Sequence, residues 1–134
     1  QRLKSIEVRK DLTDEWDKRG VKKGQEYAIL TDEITKAWSV LSVKQYKNHK
    51  GLKKENLRDN MSNLELVLNM LAEATTTEIS KEKKPKNFVE NKKIAKQGGT
   101  IAGNTRKQIE EKTGKKVVNT LNAADYLEQK KELE

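Results

Sequence analysis

The sequence predicts an all-α domain of about six helices, and three observations carry that prediction. Apolar residues recur at three- and four-residue spacing through most of the chain. Serine and asparagine stand where such helices would be capped, and no run of alternating apolar and polar residues is long enough to build a sheet.

Val8, Leu12 and Trp16 recur at i, i+4 and i+8, so a first helix of about three turns is expected, closing at Gly20. Tyr27, Leu30, Ile34, Ala37, Trp38 and Leu41 share one helical face, which predicts an amphipathic helix over about residues 26–40 with an aromatic at each end of its buried side. Ser42 with Gln45 fits a capping box, and Gly51 followed by Leu52 fits a glycine C-cap, giving a short helix over 43–50. Ser62 with Glu65 repeats the capping box at the head of the most apolar helix, residues 62–80. There Leu64, Val67, Leu68 and Leu71 share a face that Leu66 and Met70 widen, so this helix is expected at the centre of the domain. Residues 81–87 hold the only proline and four lysines and read as a turn or linker. A long helix is expected over 88–113, ending at Gly114; residues 115–120 look extended, and Asn122 can cap a last helix.

With 134 residues the chain is long enough for one domain with a modest core, and residues 1–134 are expected to form one. It opens on Gln1, the pattern of a fragment or processed product of a longer protein. Only 33% of residues are hydrophobic and 37% are charged, so much of the chain must be solvated. There is no cysteine, which removes disulfides and thiolate metal sites and permits a reducing cytoplasm. No apolar run approaches the roughly 20 residues of a membrane span and no signal-peptide pattern opens the chain, so a cytoplasmic protein without membrane contact is expected. The formal net charge of +8 points to a polyanionic partner, because clustered lysines release counterions from a phosphate backbone; the competing reading is a solubilising surface.

Three glycines, Gly98, Gly99 and Gly103, fall with Ala102 inside the long helical stretch. A phosphate cradle would need a preceding strand and the spacing of a phosphate loop, and neither is present. Phe88, Asn91, Ala95, Gly98, Gly99, Ala102, Arg106 and Ile109 instead share one helical face. Gly98, Gly99, Ala102 and Gly103 are therefore assigned to a close helix crossing, which would offset the roughly 0.8–1.0 kcal/mol that each helical glycine costs. Whether the crossing helix comes from this chain or a second copy stays open, so a homodimer is one candidate assembly.

The catalytic inventory is thin. His49 is the lone histidine and sits in a basic helix, where a solvated role is expected. Asp14, Glu15 and Asp17 read as charged helix surface, and no calcium-loop spacing occurs. No enzyme, metal or cofactor is expected. The basic clusters carry more: Lys44, Lys47, Lys50, Lys53, Lys54 and Arg58 lie within fifteen residues opposed only by Glu55, a density suited to tracking a phosphate backbone. Tyr46 and His49 would stack on a base if they face outward; the competing reading places Tyr46 in the core. Lys22, Lys23 and Arg106 are weaker additions, and Lys81, Lys83, Lys84 and Lys86 form a second group.

Three stretches taken together, "WDKRGVKKGQEYAILTDEITKAWS" (16–39), "KGLKKENLRDNMSNLELVLNMLAEATTTEIS" (50–80) and "GGTIAGNTRKQIEEKTGKKVVNTLNA" (98–123), resemble the C-terminal half of bacterial DNA-damage-inducible protein D. They cover most of the chain, in order. The resemblance implies an SOS-linked protein that acts around single-stranded DNA and RecA-type recombinase filaments as a modulator and not an enzyme. It also implies that full-length relatives carry an N-terminal domain similar to the BRO and antirepressor proteins of phages and viruses. The expected function is thus single-stranded DNA, or recombinase-filament, binding through a basic helical face, with single-stranded preferred to duplex DNA. The alternative is an antirepressor-like interaction or dimerisation module docking through Gly98–Gly103.

Overall fold

The computed structural model describes residues 2–133, which form six α-helices and one 3-10 turn with no strand among them. The helices are α1 (Arg2–Lys18), α2 (Gln25–Ser39), α3 (Val43–His49), α4 (Asn63–Lys83), α5 (Phe88–Thr113) and α6 (Ala123–Leu133), with the 3-10 turn at Arg58–Asn60. Both serine capping boxes form: Ser42 and Ser62 accept the Gln45 and Glu65 backbone N–H groups, and the Gln45 and Glu65 side chains reach back to the capping residues' own N–H groups. Each satisfies two donors that a helix start leaves free. Gly51, at φ 70°, lets α3 stop and the chain reverse, so that the Leu52 N–H reaches the Lys47 carbonyl at 2.8 Å and Leu52 is buried.

α5 packs along both α2 and α4, while α1 covers another side of α4. The core between them collects Leu12 and Trp16 of α1, Leu30, Ile34 and Trp38 of α2, Tyr46 of α3, Leu68 and Ala72 of α4, and Ala95 and Ala102 of α5. Val117, in the 115–120 segment that looked extended, joins this core without forming a strand. α1 starts earlier than Val8, because the helix continues back to Arg2 with Leu3 and Ile6 exposed on its first turns.

The glycine seam is where α5 meets its neighbours. A Cβ added to Gly98 would collide with the Thr76 side chain and come 2.8 Å from its backbone nitrogen in α4. On Gly99 it would stand 2.6 Å from the Ile34 carbonyl oxygen, and on Gly103 2.6 Å from the Ala37 carbonyl oxygen, both in α2. Gly98 thus admits α4 while Gly99 and Gly103 admit α2. The groove left open by the sequence is filled twice over from within the same chain, so it offers no face for a second copy.

α4 buries a different face from the one its leucines predict. Leu64, Val67 and Leu71 remain 40%, 41% and 37% exposed, whereas Glu65, Asn69, Glu73, Thr76, Thr77 and Ser80 are buried beside Leu66, Leu68 and Ala72. Burying polar side chains is costly unless partners satisfy them. The Trp38 Nε1–H donates to Asn69 Oδ1 at 3.2 Å, the Ser80 hydroxyl donates to Glu15 Oε2 at 2.7 Å, and Glu73 receives two arginines on Oε2, while among the described residues no group donates to its buried Oε1. Thr76 and Ser80 are also small, which brings α5 and α1 close.

Candidate nucleic-acid interface

The lysine cluster after α2 does not form one uniform face. In a two-turn helix, residues four apart lie on the same side, and Tyr46 points into the core with its ring tilted against Trp38 at 6.0 Å between centroids. Lys50, at i+4 from Tyr46, therefore goes inward too and is only 1% exposed. Its ammonium donates to Glu65 Oε1 at 2.9 Å, to Asn119 Oδ1 at 3.0 Å and to the Leu121 carbonyl at 2.6 Å, using all three of its protons. The Tyr46 hydroxyl donates to the other Glu65 oxygen. Burial first, then the negative Glu65 and this hydrogen bond, push the Tyr46 phenol well above the ordinary tyrosine range. Neither Lys50 as a phosphate contact nor Tyr46 as a stacking platform survives: each is part of a buried polar cluster that ties the segment before α6 to α3 and α4. The Asn122 side chain closes it by donating to the Lys50 carbonyl at 3.0 Å.

Arg106 is the second correction. It lies on the same stripe as Gly99, one heptad on, and is buried where α5 passes the end of α2. Its Nε donates to the Trp38 carbonyl at 2.7 Å and Nη1 to Glu110 at 2.6 Å. A cation at the C-terminal carbonyls of α2 satisfies an acceptor that the helix end leaves free and complements its dipole. Burial alone would raise the Glu110 carboxyl, but the Val117 N–H and the Arg106 charge outweigh it and hold the group below the usual carboxylate range.

Lys44, Lys47 and Lys53 keep the surface role and converge. With Arg9, Tyr27, Thr31, Asp32 and Val43 they line a groove of about 850 Å³ between α2, α3 and the chain leaving α3. The Asp32 carboxylate accepts the Val43 N–H at 2.8 Å, which fixes the start of α3 against α2 and so sets the groove's width. Among the described residues no carboxylate pairs with any of these three lysines. Glu55, the one acid in the cluster, is taken up by the Lys53 backbone N–H at 2.7 Å, a bond that is the main cause of its lowered pKa. Lys54 and His49 are exposed outside the groove, and Lys22 and Lys23 are exposed on the turn that leads to Gly24 at its wall.

The groove continues. A depression of about 170 Å³ shares Thr31, Val43 and Lys47 with it and adds Asn56 and Arg58; a third of the same size shares Asn56 and Arg58 and adds Arg2. Arg58 is drawn partly inward, bonding Glu73 and, at 3.3 Å, the Ser5 hydroxyl. Arg9 approaches Glu73 Oε2 at 3.0 Å and the Thr31 hydroxyl at 2.7 Å, with its guanidinium over the Trp16 ring. Burial, opposed by Glu73, lowers the Arg9 pKa. Two arginines against one carboxylate leave this patch a net positive charge. Sequence reasoning missed Arg9 because the basic residues of α1 are interspersed with acids and form no cluster; its signal is spacing, since it lies seven residues before Trp16 on the side of α1 that faces the core.

No group of three or more His, Cys, Asp or Glu side chains among the described residues is placed to hold a metal ion. No described helix is long and apolar enough to cross a membrane.

Six helices locked by a glycine seam, with a cationic trough opening beside α3, define an all-α domain with one lysine-lined side. The chain belongs to the DinD C-terminal domain family, a DNA-damage-inducible family whose profile matches residues 2–128. No curated protein and no solved structure matches it.

Proposed function

We propose that this domain binds single-stranded DNA, bare or within a RecA-type recombinase filament, through the groove of Lys44, Lys47 and Lys53, and that it does so without catalysing a reaction. The supporting observation is the continuity of three depressions that share lining residues and carry unpaired lysines at one end, with Arg58, bonded to Glu73, and Arg2, paired with Asp59 at 3.3 Å, at the other. Cations spaced along a trough suit a flexible strand, which can follow it, better than a rigid duplex. Tyr27 supplies an aromatic wall near the lysines, its ring already braced against Trp16 at 5.3 Å. Lys54, Lys22 and Lys23 would add long-range attraction from the rim. Membership in a DNA-damage-inducible family makes DNA the polyanion of choice.

Fluorescence anisotropy with a labelled thymidine oligomer of about 30 nucleotides, across a salt series and beside a duplex of equal length, tests the reading. Binding should weaken linearly in log–log form, and combining Lys44→Glu, Lys47→Glu and Lys53→Glu should flatten the slope by about 2, since each neutralised single-strand phosphate contributes roughly 0.7. Absence of binding at low salt, or an unchanged slope in the triple variant, refutes it. Co-sedimentation with RecA-type filaments, wild type against the triple variant, extends the test to the nucleoprotein form.

A further inference from the structure

We propose that a second groove, between α4 and α5, receives an acidic amphipathic helix from a partner protein. It has a volume of about 780 Å³ and is formed by Ile79 and Lys83 of α4 with Lys93, Lys96, Gln97, Thr100 and Ile101 of α5. A neighbouring depression of about 250 Å³ shares Lys83, Lys93 and Gln97 and extends it toward Pro85 and Ile94. Neither shares a lining residue with the three depressions of the DNA-facing side.

Two properties define the occupant. The groove offers apolar surface, with Ile79 half-buried and Ile101 46% exposed, where a side chain costs free energy if left in water. Its rim is cationic and unneutralised: no carboxylate pairs with Lys83, Lys93 or Lys96 among the described residues. Between Ile79 and Ile101 the sequence has seven lysines against two glutamates, Glu82 and Glu90. Glu90, at the far end, is engaged at the start of α5, where it accepts the Lys86 N–H at 3.3 Å. A nucleic-acid strand would use the lysines and leave Ile79 and Ile101 facing phosphate. A helix with leucines on one stripe and carboxylates flanking it uses both, and the trough between two packed helices has the shape that such a helix fills.

The probe is a fluorescein-labelled twelve-residue peptide with leucine at i, i+3, i+4 and i+7 and glutamate or aspartate elsewhere. It should bind the 134-residue chain, and its addition should shift amide resonances within residues 79–101. Combined Lys93→Glu and Lys96→Glu, or Ile101→Glu alone, should weaken binding at least about tenfold, because rim charge and floor are each then reversed in character. Lys112→Glu, on the exposed last turn of α5, should leave it unchanged. The same peptide with lysine for every acid, or with serine for every leucine, should not bind. The proposal is overturned if either control peptide binds equally, if the shifts map elsewhere, or if no binding occurs. It also falls if the thymidine oligomer displaces the peptide from the Lys44, Lys47 and Lys53 triple variant, which would make this groove a phosphate site. Loss of DNA binding in that variant with peptide binding intact separates the two grooves.

Discussion

The glycine seam of α5 and the lysine cluster around α3 lie some forty residues apart, and each contains residues whose type suggests the opposite of their place. Gly98, Gly99 and Gly103 bring to mind a phosphate cradle by residue type alone, yet they are closely packed scaffold, with α4 and α2 against their backbone. Lys50 has the look of one more surface lysine between Lys47 and Lys53, yet it is buried as deeply as any leucine of the core. In both regions the decisive quantity is distance to a neighbouring element. Backbone contact makes the glycines irreplaceable, and a carboxylate 2.9 Å away makes one lysine structural while its neighbours stay free.

The sharpest way to break this comparison is Gly99→Leu, which should leave no cooperative unfolding transition in urea, because the side chain has nowhere to go but through the Ile34 carbonyl. Gly99→Ala gives the sign. On an open helix surface alanine would gain about 1 kcal/mol over glycine, whereas here it should lose about 1–3 kcal/mol. Sedimentation of the wild type should give a monomer, since the seam is filled internally.

Next in size is Lys50→Met, which removes the charge but keeps most of the stem and leaves Glu65 buried with only Tyr46 as a side-chain donor. Breaking a buried pair in this way should cost about 3–5 kcal/mol in urea denaturation, against less than about 0.5 kcal/mol for Lys47→Met. Equal effects at the two positions would erase the distinction between them.

The same cluster predicts an alkaline limit. Burial and Glu65 raise the Tyr46 pKa above the ordinary tyrosine value of 10.0, and burial raises those of Tyr27 and Tyr126. Their contribution is complete below pH 10 and is lost above it, where the unfolded chain releases protons that the folded chain keeps. Tyr46, the most buried of the three, dominates the loss, with a fall of roughly 1.4 kcal/mol per pH unit above that point. The melting temperature should therefore decline from about pH 10 upward, and Tyr46→Phe should make the decline shallower.

Smallest on stability is the triple replacement of Lys44, Lys47 and Lys53 by glutamate. Its melting temperature should match the wild type within the about 0.5 kcal/mol typical of surface changes, while its affinity for the thymidine oligomer falls at least about tenfold. A large loss of stability would place these lysines with Lys50.

Much of this was legible along the chain. The second helix over residues 26–40, both capping boxes, the glycine cap at Gly51 and the long helix over 88–113 follow from patterns that act within a turn or two. So did the face shared by the α5 glycines. Even the fate of Lys50 had a local signal, since placing Tyr46 in the core commits its i+4 neighbour to the same side. Arg106 carried a similar one, as it shares a stripe with Gly99. The buried face of α4 had none. Its leucines gave a coherent stripe, and only the positions of Lys50, Trp38, Arg9, Arg58 and Ser80 relative to Glu65, Asn69, Glu73 and Glu15 explain why polar residues displaced them.

What the sequence by itself determined is the set of helices, the capped starts of α3 and α4, and the requirement that α5 be approached closely, because capping, periodicity and the absence of a Cβ act over a few residues; the start of α1 at Arg2 and the end of α4 at Lys83 were not among these. What only the tertiary structure decided is which cations are free. A lysine and an arginine become structural when the fold brings an unpaired carboxylate or a helix-end carbonyl within hydrogen-bond reach, since burying either acceptor without a donor costs more than burying the cation beside it. The lysines left over, Lys44, Lys47 and Lys53, are those for which the packed helices supply no such acceptor.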